Sequence, residues 1–237
     1  MALPTMDLPT YELEVPSTGK KIKYRPFLVK EEKVLLMAME SEDEKSIRDA
    51  TLNLLKSCIS TRIKLENLAT FDLEYIFLNI RAVSVGEIVE LMVTCQDDEE
   101  TQVRYNLNLT SVAVVFPEGH TNKIMLTDDT GVIMRYPSFD RFVEGNISEK
   151  ELTADDITKV IAESIDQIFQ GEEVYDESTT SKKEFVQFVE SLTNSQLEKL
   201  QEFFATAPRL EHTFSVVNPN TGVESEYTLR GLQSFFG

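Results

Sequence analysis

The spacing of apolar residues changes period in long blocks along this chain. Residues 11–15 and 21–25 alternate apolar and polar side chains around a Ser-Thr-Gly turn, which predicts a β-hairpin. From Lys30 to about residue 84 the spacing changes to the 3.6-residue period of helices. Because blocks of strands follow blocks of helices, with no strand-helix-strand succession, the sequence predicts an α+β fold with antiparallel hairpins.

The middle of the chain has strand composition. Residues 87–94 and 101–109 flank the polar run 96–100, which we interpret as a hairpin tip whose acidic side chains are solvated. Shorter strands are predicted around two turn-forming segments, at residues 111–116, 122–126 and 132–136.

A second helical block follows. Thr153 is a suitable N-cap for a stripe of apolar residues from Ile157 to Phe169, which predicts one helix ending at Gly171. The capping boxes 181–184 and 193–196 each introduce a helix, and the two helices are predicted to form an αα-hairpin. Residues 210–217 and 223–229 then alternate around an Asn-Pro-Asn-Thr-Gly turn, which predicts a second β-hairpin.

A chain of 237 residues can form one large domain or two small ones. The order of the blocks favours two lobes. We expect an N-terminal lobe at residues 1–145 with the first hairpin, helices and central strands. The C-terminal lobe, residues 146–237, would hold three helices and the last hairpin.

The charge balance limits the classes of partner. The chain has 23 Lys and Arg against 41 Asp and Glu, a net charge of −18, which disfavours nucleic acids and anionic membranes. Residues 1–40 contain as many basic as acidic residues and are neutral. The basic cluster from Lys20 to Lys33 is therefore either a docking surface for an acidic partner or a solvated strand face followed by a helix start. No apolar run approaches the roughly 18 residues that span a bilayer, and no signal peptide is evident, so we expect no membrane insertion.

Motifs that carry chemistry are missing from the sequence. It contains no nucleotide-binding glycine loop, no hydrolase serine motif and no zinc-protease motif. A metal site would need Cys58, Cys95, His120 and His212, none of which lies at ligand spacing from another. We therefore expect no catalytic residue, no cofactor and no metal. Both cysteines are predicted to be free thiols, Cys58 on a helix core stripe and Cys95 at a strand end, in a reducing compartment.

Two groups of residues are predicted to bind a partner. Three large apolar residues lie close to the last residue of the chain, where polar residues are usual, and they either pack on their own domain or dock into another protein. The basic strand is the second group. The predicted partner-binding residues are Lys20, Lys21, Lys23, Arg25, Leu232, Phe235 and Phe236.

Three segments carry a resemblance to a known family. The run KIKYRPFLVKEEKVLLMA, residues 21–38, resembles the hub subunit family of T4-type myophage baseplates, and the segments MRYPS (134–138) and GLQSFF (231–236) agree with it. The family groups a hub subunit with a hub assembly catalyst. The resemblance therefore implies a part in building the centre of the tail baseplate with other hub proteins, and it implies no chemistry.

Two functions remain open within this resemblance. A hub subunit stays in the virion tail baseplate, whereas a chaperone-like assembly factor binds hub proteins transiently in the host cytoplasm; either could be an oligomer. Alternatives outside the family are an acidic host-directed inhibitor and another soluble protein-binding adaptor. Some relatives carry Cys pairs at their hairpin tips, but here Asp98 stands where a Cys-x-x-Cys partner of Cys95 would be, so no zinc site is implied.

Overall fold

The computed structural model describes residues 7–41, 43–137, 153–231 and 234. These form two compact units, one from residues 7–115 with 209–231 and 234, the other from residues 116–137 with 153–208. Six α-helices and eleven strands, all pairs antiparallel, occur in the described residues, which confirms the predicted α+β fold.

The helices and strands follow one another along the chain in this order: β1 Tyr11–Glu14, β2 Lys21–Tyr24, α1 Val29–Glu40, α2 Glu44–Cys58, α3 Thr70–Val85, β3 Ile88–Thr94, β4 Gln102–Asn108, β5 Ala113–Val115, β6 Lys123–Met125, β7 Thr130–Met134, α4 Ala154–Glu163, β8 Ile165–Gln170, β9 Glu173–Asp176, α5 Lys182–Glu190, α6 Asn194–Ala205, β10 Arg209–Val217 and β11 Glu224–Arg230.

Helix α3 forms the centre of the first unit. Its apolar residues point in several directions, and Leu73, Ile76 and Ile80 are all fully buried. Leu55 of α2 and Ile22 of β2 belong to the same hydrophobic core. A helix that is apolar around most of its circumference has to be covered on several sides, and the surrounding elements provide this cover.

A buried carboxylate fixes the start of α3. Asp72 accepts hydrogen bonds from the Ser17 amide at 2.9 Å, from the Ser17 hydroxyl and from the Ala69 amide at 3.3 Å. These bonds tie the β1–β2 turn to the helix. Burial raises the pKa of Asp72, although the three donors oppose that shift.

The last hairpin completes the first unit. Strand β10 pairs with β11 on one side and with β5 on the other, where Leu210 lies opposite Val114. The buried side chains of β10, Leu210, Phe214 and Val216, face this unit's interior. The structure here differs from the predicted lobe at 146–237, which held this hairpin, because a pairing between residues about a hundred positions apart leaves no local signal in the sequence.

In the second unit the four-stranded sheet β6–β7–β8–β9 packs with α4, α5 and α6 around a separate core. The prediction of one helix through Phe169 is wrong. Helix α4 ends at Glu163, and β8 pairs with β7 instead. Arg135 caps the C-terminal end of α4. Its amide donates to the Ser164 carbonyl at 2.7 Å and its Nε donates to the Glu163 carbonyl at 2.9 Å.

A glycine lets β7 pass beneath an aromatic ring. Gly131 pairs with Met125 on one side and Phe169 on the other. A Cβ at this position would lie 2.5 Å from Cζ of Phe169 and 2.7 Å from the Ile124 carbonyl oxygen. Both distances are too short for any real Cβ contact, so the middle of this sheet requires a residue without a side chain.

Candidate partner-binding surfaces

The predicted basic strand is β2, and its lysines lie on the solvent face. Ile22 and Tyr24 point into the core while Lys21 and Lys23 alternate with them and are exposed. Lys23 Nζ lies 3.4 Å from a carboxylate oxygen of Glu12 across the hairpin. A pair as exposed as this contributes little stability, so it leaves Lys23 accessible to a partner.

Arg25 has a structural role at the end of this strand. Its guanidinium donates two hydrogen bonds to the carboxylate of Glu31, at 2.7 and 2.9 Å, and Glu31 also accepts from the Leu28 amide at 2.8 Å. The hydrogen bonds from Arg25 hold the pKa of Glu31 below its usual value. Because Arg25 is engaged with the first turn of α1, the exposed charges of the cluster on β2 belong to the lysines.

Both edges of β2 are already occupied. Strand β1 covers one edge. On the other edge the Ser60 amide donates to the Lys23 carbonyl at 2.9 Å, and the Arg25 amide donates to the Cys58 carbonyl at 3.0 Å. A partner cannot add a strand here, so binding at β2 would use the lysine side chains.

Helix α1 exposes large apolar side chains. Val29 is 80% exposed, Met37 59% and Leu36 52%, while the opposite face packs Leu35 and Ala38 toward the interior and α2. Exposed apolar residues concentrated on one short helix mark an interaction surface more often than isolated ones do.

Sequence reasoning did not identify this face of α1, although a signal for it was present. Seven of the twelve residues of α1 are apolar, in the sequence VKEEKVLLMAME. Six of the seven are consecutive, Val34 to Met39, so they surround the helix instead of forming one stripe, and the apolar residues outside the packed face indicate a second contact.

The apolar residues of the predicted terminal binding group follow the last strand, β11, in the sequence. Leu232, Phe235 and Phe236 lie outside the described residues. The described chain leads toward them at Gly231, which has a φ of 71° and donates from its amide to the Leu210 carbonyl at 3.1 Å.

The tips of two hairpins are locked together by a buried amide. Asn218 Nδ2 lies 3.0 Å and 3.1 Å from the carboxylate oxygens of Asp97 and 3.0 Å from Oδ2 of Asp98. Thr221 donates to Asp97 as well. The expectation that these acids are merely solvated is therefore wrong, because they join the β3–β4 tip to the β10–β11 tip.

Hydrogen bonds also lower the pKa values of Asp97 and Asp98, the two carboxylates that bond Asn218. The pKa of Asp98 is held well below its usual value, first by Thr101 and then by Asn218. Asn218 and Thr221 lower the pKa of Asp97 in the same way. The donors that bond the two carboxylates favour the ionised form, so Asp97 and Asp98 act as charged structural acceptors.

His120 is held in an aromatic cluster of the second unit. Its Nδ1 lies 3.0 Å from the Thr206 hydroxyl and its Nε2 lies 2.8 Å from the Tyr136 hydroxyl, and the Phe203 ring is 5.1 Å away. The Thr206 hydroxyl donates to the Glu202 carbonyl. In the neutral form of His120, Nδ1 therefore carries the proton and Nε2 accepts from Tyr136. Burial lowers the pKa of His120 in keeping with this neutral tautomer.

Both thiols are buried and free. Burial raises the pKa of Cys58 to about 11, with only partial opposition from Arg25. Burial, followed by the charges of Asp97 and Asp98, also raises the pKa of Cys95. A thiol of raised pKa is a weak nucleophile at neutral pH. Over the part of the chain that the structure describes, no three His, Cys, Asp or Glu side chains converge as metal ligands.

The segment MRYP of the sequence resemblance has structural roles. Met134 is buried in the core, Arg135 closes the end of α4, and Tyr136 bonds His120. None of the helices described is long and apolar enough to cross a bilayer.

The family model of the T4 bacteriophage base plate protein matches residues 8–237, and this defines the class as a phage baseplate protein. The chain belongs to the T4 baseplate protein family. The comparisons with curated proteins and with solved structures returned no match.

Proposed function

We propose that this protein is a non-enzymatic hub protein or hub assembly factor that binds other hub proteins while the contractile-tail baseplate is built in the host cytoplasm. The family match over residues 8–237 is the observation that carries this proposal. The chemistry-bearing side chains described above support it, because His120, Asp97 and Asp98 bond neighbouring residues, and Cys58 is buried and protonated.

Charge favours the assembly factor over a permanent subunit. A net charge of −18 keeps a free protein soluble and can shield a partner until docking. Mass spectrometry of purified virions tests this choice. An assembly factor is absent from mature particles and present in infected cells, whereas a stoichiometric copy number in the tail would identify a structural subunit.

Hub proteins are proposed to contact the lysines of β2 and the apolar residues Leu232, Phe235 and Phe236. Lys21 and Lys23 lie on an exposed strand face within a neutral segment of an acidic chain, and Lys20 reaches the Arg62 carbonyl at 3.0 Å through a solvent-exposed bond. Positive charge at this position would attract an acidic surface and speed association.

Two variants separate the contribution of the lysines from that of the terminal apolar residues. Lys20→Glu with Lys23→Glu should slow association with hub proteins, and truncation before Gly231 should raise the dissociation rate by removing apolar contact area. Arg25 is left intact, because its substitution would disturb the α1 start. Binding kinetics on immobilised hub proteins, with circular dichroism of each variant, measure both effects. Unchanged kinetics in both folded variants would exclude these contact surfaces.

A further inference from the structure

One stripe of α1 repeats the spacing of a helix-pairing face. Lys33, Leu36, Met37 and Glu40 stand at positions i, i+3, i+4 and i+7, and all four are exposed. Val29 lies one turn earlier on the same side and is the most exposed of the large apolar residues that the structure describes. The opposite side of the helix packs on the interior, so this stripe is the side that α1 presents to solvent.

The stripe also lies in a segment of the chain that has no net charge. Residues 1–40 are neutral overall, so the whole net charge of −18 is carried by residues 41–237. Among the described residues neither Lys33 nor Glu40 forms an ion pair. An apolar centre with one free charge of each sign is therefore available within an otherwise acidic molecule.

The arrangement of these four residues is complementary to itself. In a twofold interface, whenever residue i meets residue j of the second copy, residue j meets residue i. If two α1 helices pack antiparallel with Leu36 against Met37 of the second copy, Lys33 comes opposite Glu40 of that copy. The twofold axis repeats both contacts, so two cross-copy ion pairs flank four apolar side chains.

We propose that the protein self-associates through this face of α1, forming an antiparallel twofold dimer with Leu36 and Met37 at its centre and Lys33–Glu40 ion pairs on both sides. This goes beyond the proposed function, since hub proteins are assigned to β2 and the terminal residues. A twelve-residue helix is only about 18 Å long, and one helix face covers less than the about 800 Å² per partner of standard interfaces. The dimer is therefore weak and depends on concentration.

Sedimentation equilibrium of the full chain over a wide concentration range tests the proposal. Wild type should shift from monomer to dimer, and Leu36→Glu should weaken the dimer at least about tenfold. Lys33→Glu and Glu40→Lys should each weaken it, because each places like charges opposite one another. The double variant Lys33→Glu with Glu40→Lys exchanges the charges and should restore dimerisation.

Lys183→Glu is the matched control for Lys33→Glu, because it makes the same change in net charge at an exposed position of another helix, α5. It should dimerise like wild type, and circular dichroism should show that all variants are folded. A wild type that stays monomeric overturns the proposal. A dimer that survives Leu36→Glu assigns the interface to another surface. Failure of the double variant to recover overturns the antiparallel pairing.

Discussion

At the scale of single residues, several polar side chains of this protein hold parts of the fold together. His120 illustrates this, because both ring nitrogens have partners and the donor roles are fixed by the Thr206 bond to the Glu202 carbonyl. Protonation of Nε2 would remove the acceptor for Tyr136 and place a charge among aromatic rings. The neutral form is therefore favoured in the folded protein.

This gives a prediction about pH. The folded-state pKa of His120 lies below that of the unfolded chain, which is about 6.5. Its contribution to stability is complete above the unfolded value and is lost as the pH falls through the folded value. Melting temperatures from about pH 8 to about pH 5 should fall more steeply for wild type than for His120→Gln. Parallel curves would show that this histidine does not titrate on unfolding.

Asn218 provides a second residue-scale prediction. Asn218→Ala removes the donor shared by two carboxylates and should lower the melting temperature by several degrees. Asn218→Asp keeps the shape and adds a third carboxylate, so it should be more destabilising at neutral pH and approach the alanine variant under acidic conditions. Thermal melts of both variants at two pH values measure this. Equal effects of the two substitutions at neutral pH would contradict the role given to charge.

At the scale of elements, local signals in the sequence predicted local structure well. The capping box at Ser181 is formed as expected, with the Ser181 amide donating to Glu184 at 2.8 Å. The apolar stripe from Ile157 to Phe169 fits the helical period along its whole length. Its second part nevertheless forms β8, because β7 supplies a strand edge with which it pairs. The Asn218–Asp97 contact joins residues 121 positions apart, which no local pattern records. Among the predicted binding residues, the alternation of the strand predicted that Lys21 and Lys23 are exposed. It carried no information on the other residues of that set.

Gly131 makes the β7–β8 pairing testable. Gly131→Ala should destabilise the second unit by about 1–3 kcal/mol, because the new methyl group overlaps the Phe169 ring and the Ile124 carbonyl. Phe169→Ala should relieve part of this cost, so the double variant should be less destabilised than the sum of the singles. Urea denaturation of the four proteins gives the coupling. Strict additivity would mean that the ring does not limit this position.

At the scale of the whole molecule, the chain builds its first unit from two distant segments. Strand β10 supplies three buried side chains and lies between β5 and β11. The second unit is encoded between these segments and has its own hydrophobic core. Each unit should therefore respond separately when one of its parts is removed.

Deletion of residues 209–237 tests this organisation. Loss of β10 uncovers the core around α3, so amides of α3 should lose protection from hydrogen exchange, while amides of β7 and β8 keep theirs. Truncation before Gly231 is the matched control, because it retains both strands and should leave α3 protected. Retained protection of α3 in the larger deletion would show that β10 is dispensable for the first unit.

The pairing of Val115 with Arg209 also limits when the first unit can be completed during synthesis. Roughly a hundred residues separate the two partners, and ribosomes add about 5–20 residues per second. Strand β10 is therefore made roughly 5–20 seconds after β5. By that time all the strands of the second unit have been made, because they lie between β5 and β10 in the chain. The second core can therefore form during synthesis before Leu210 of β10 completes the first one.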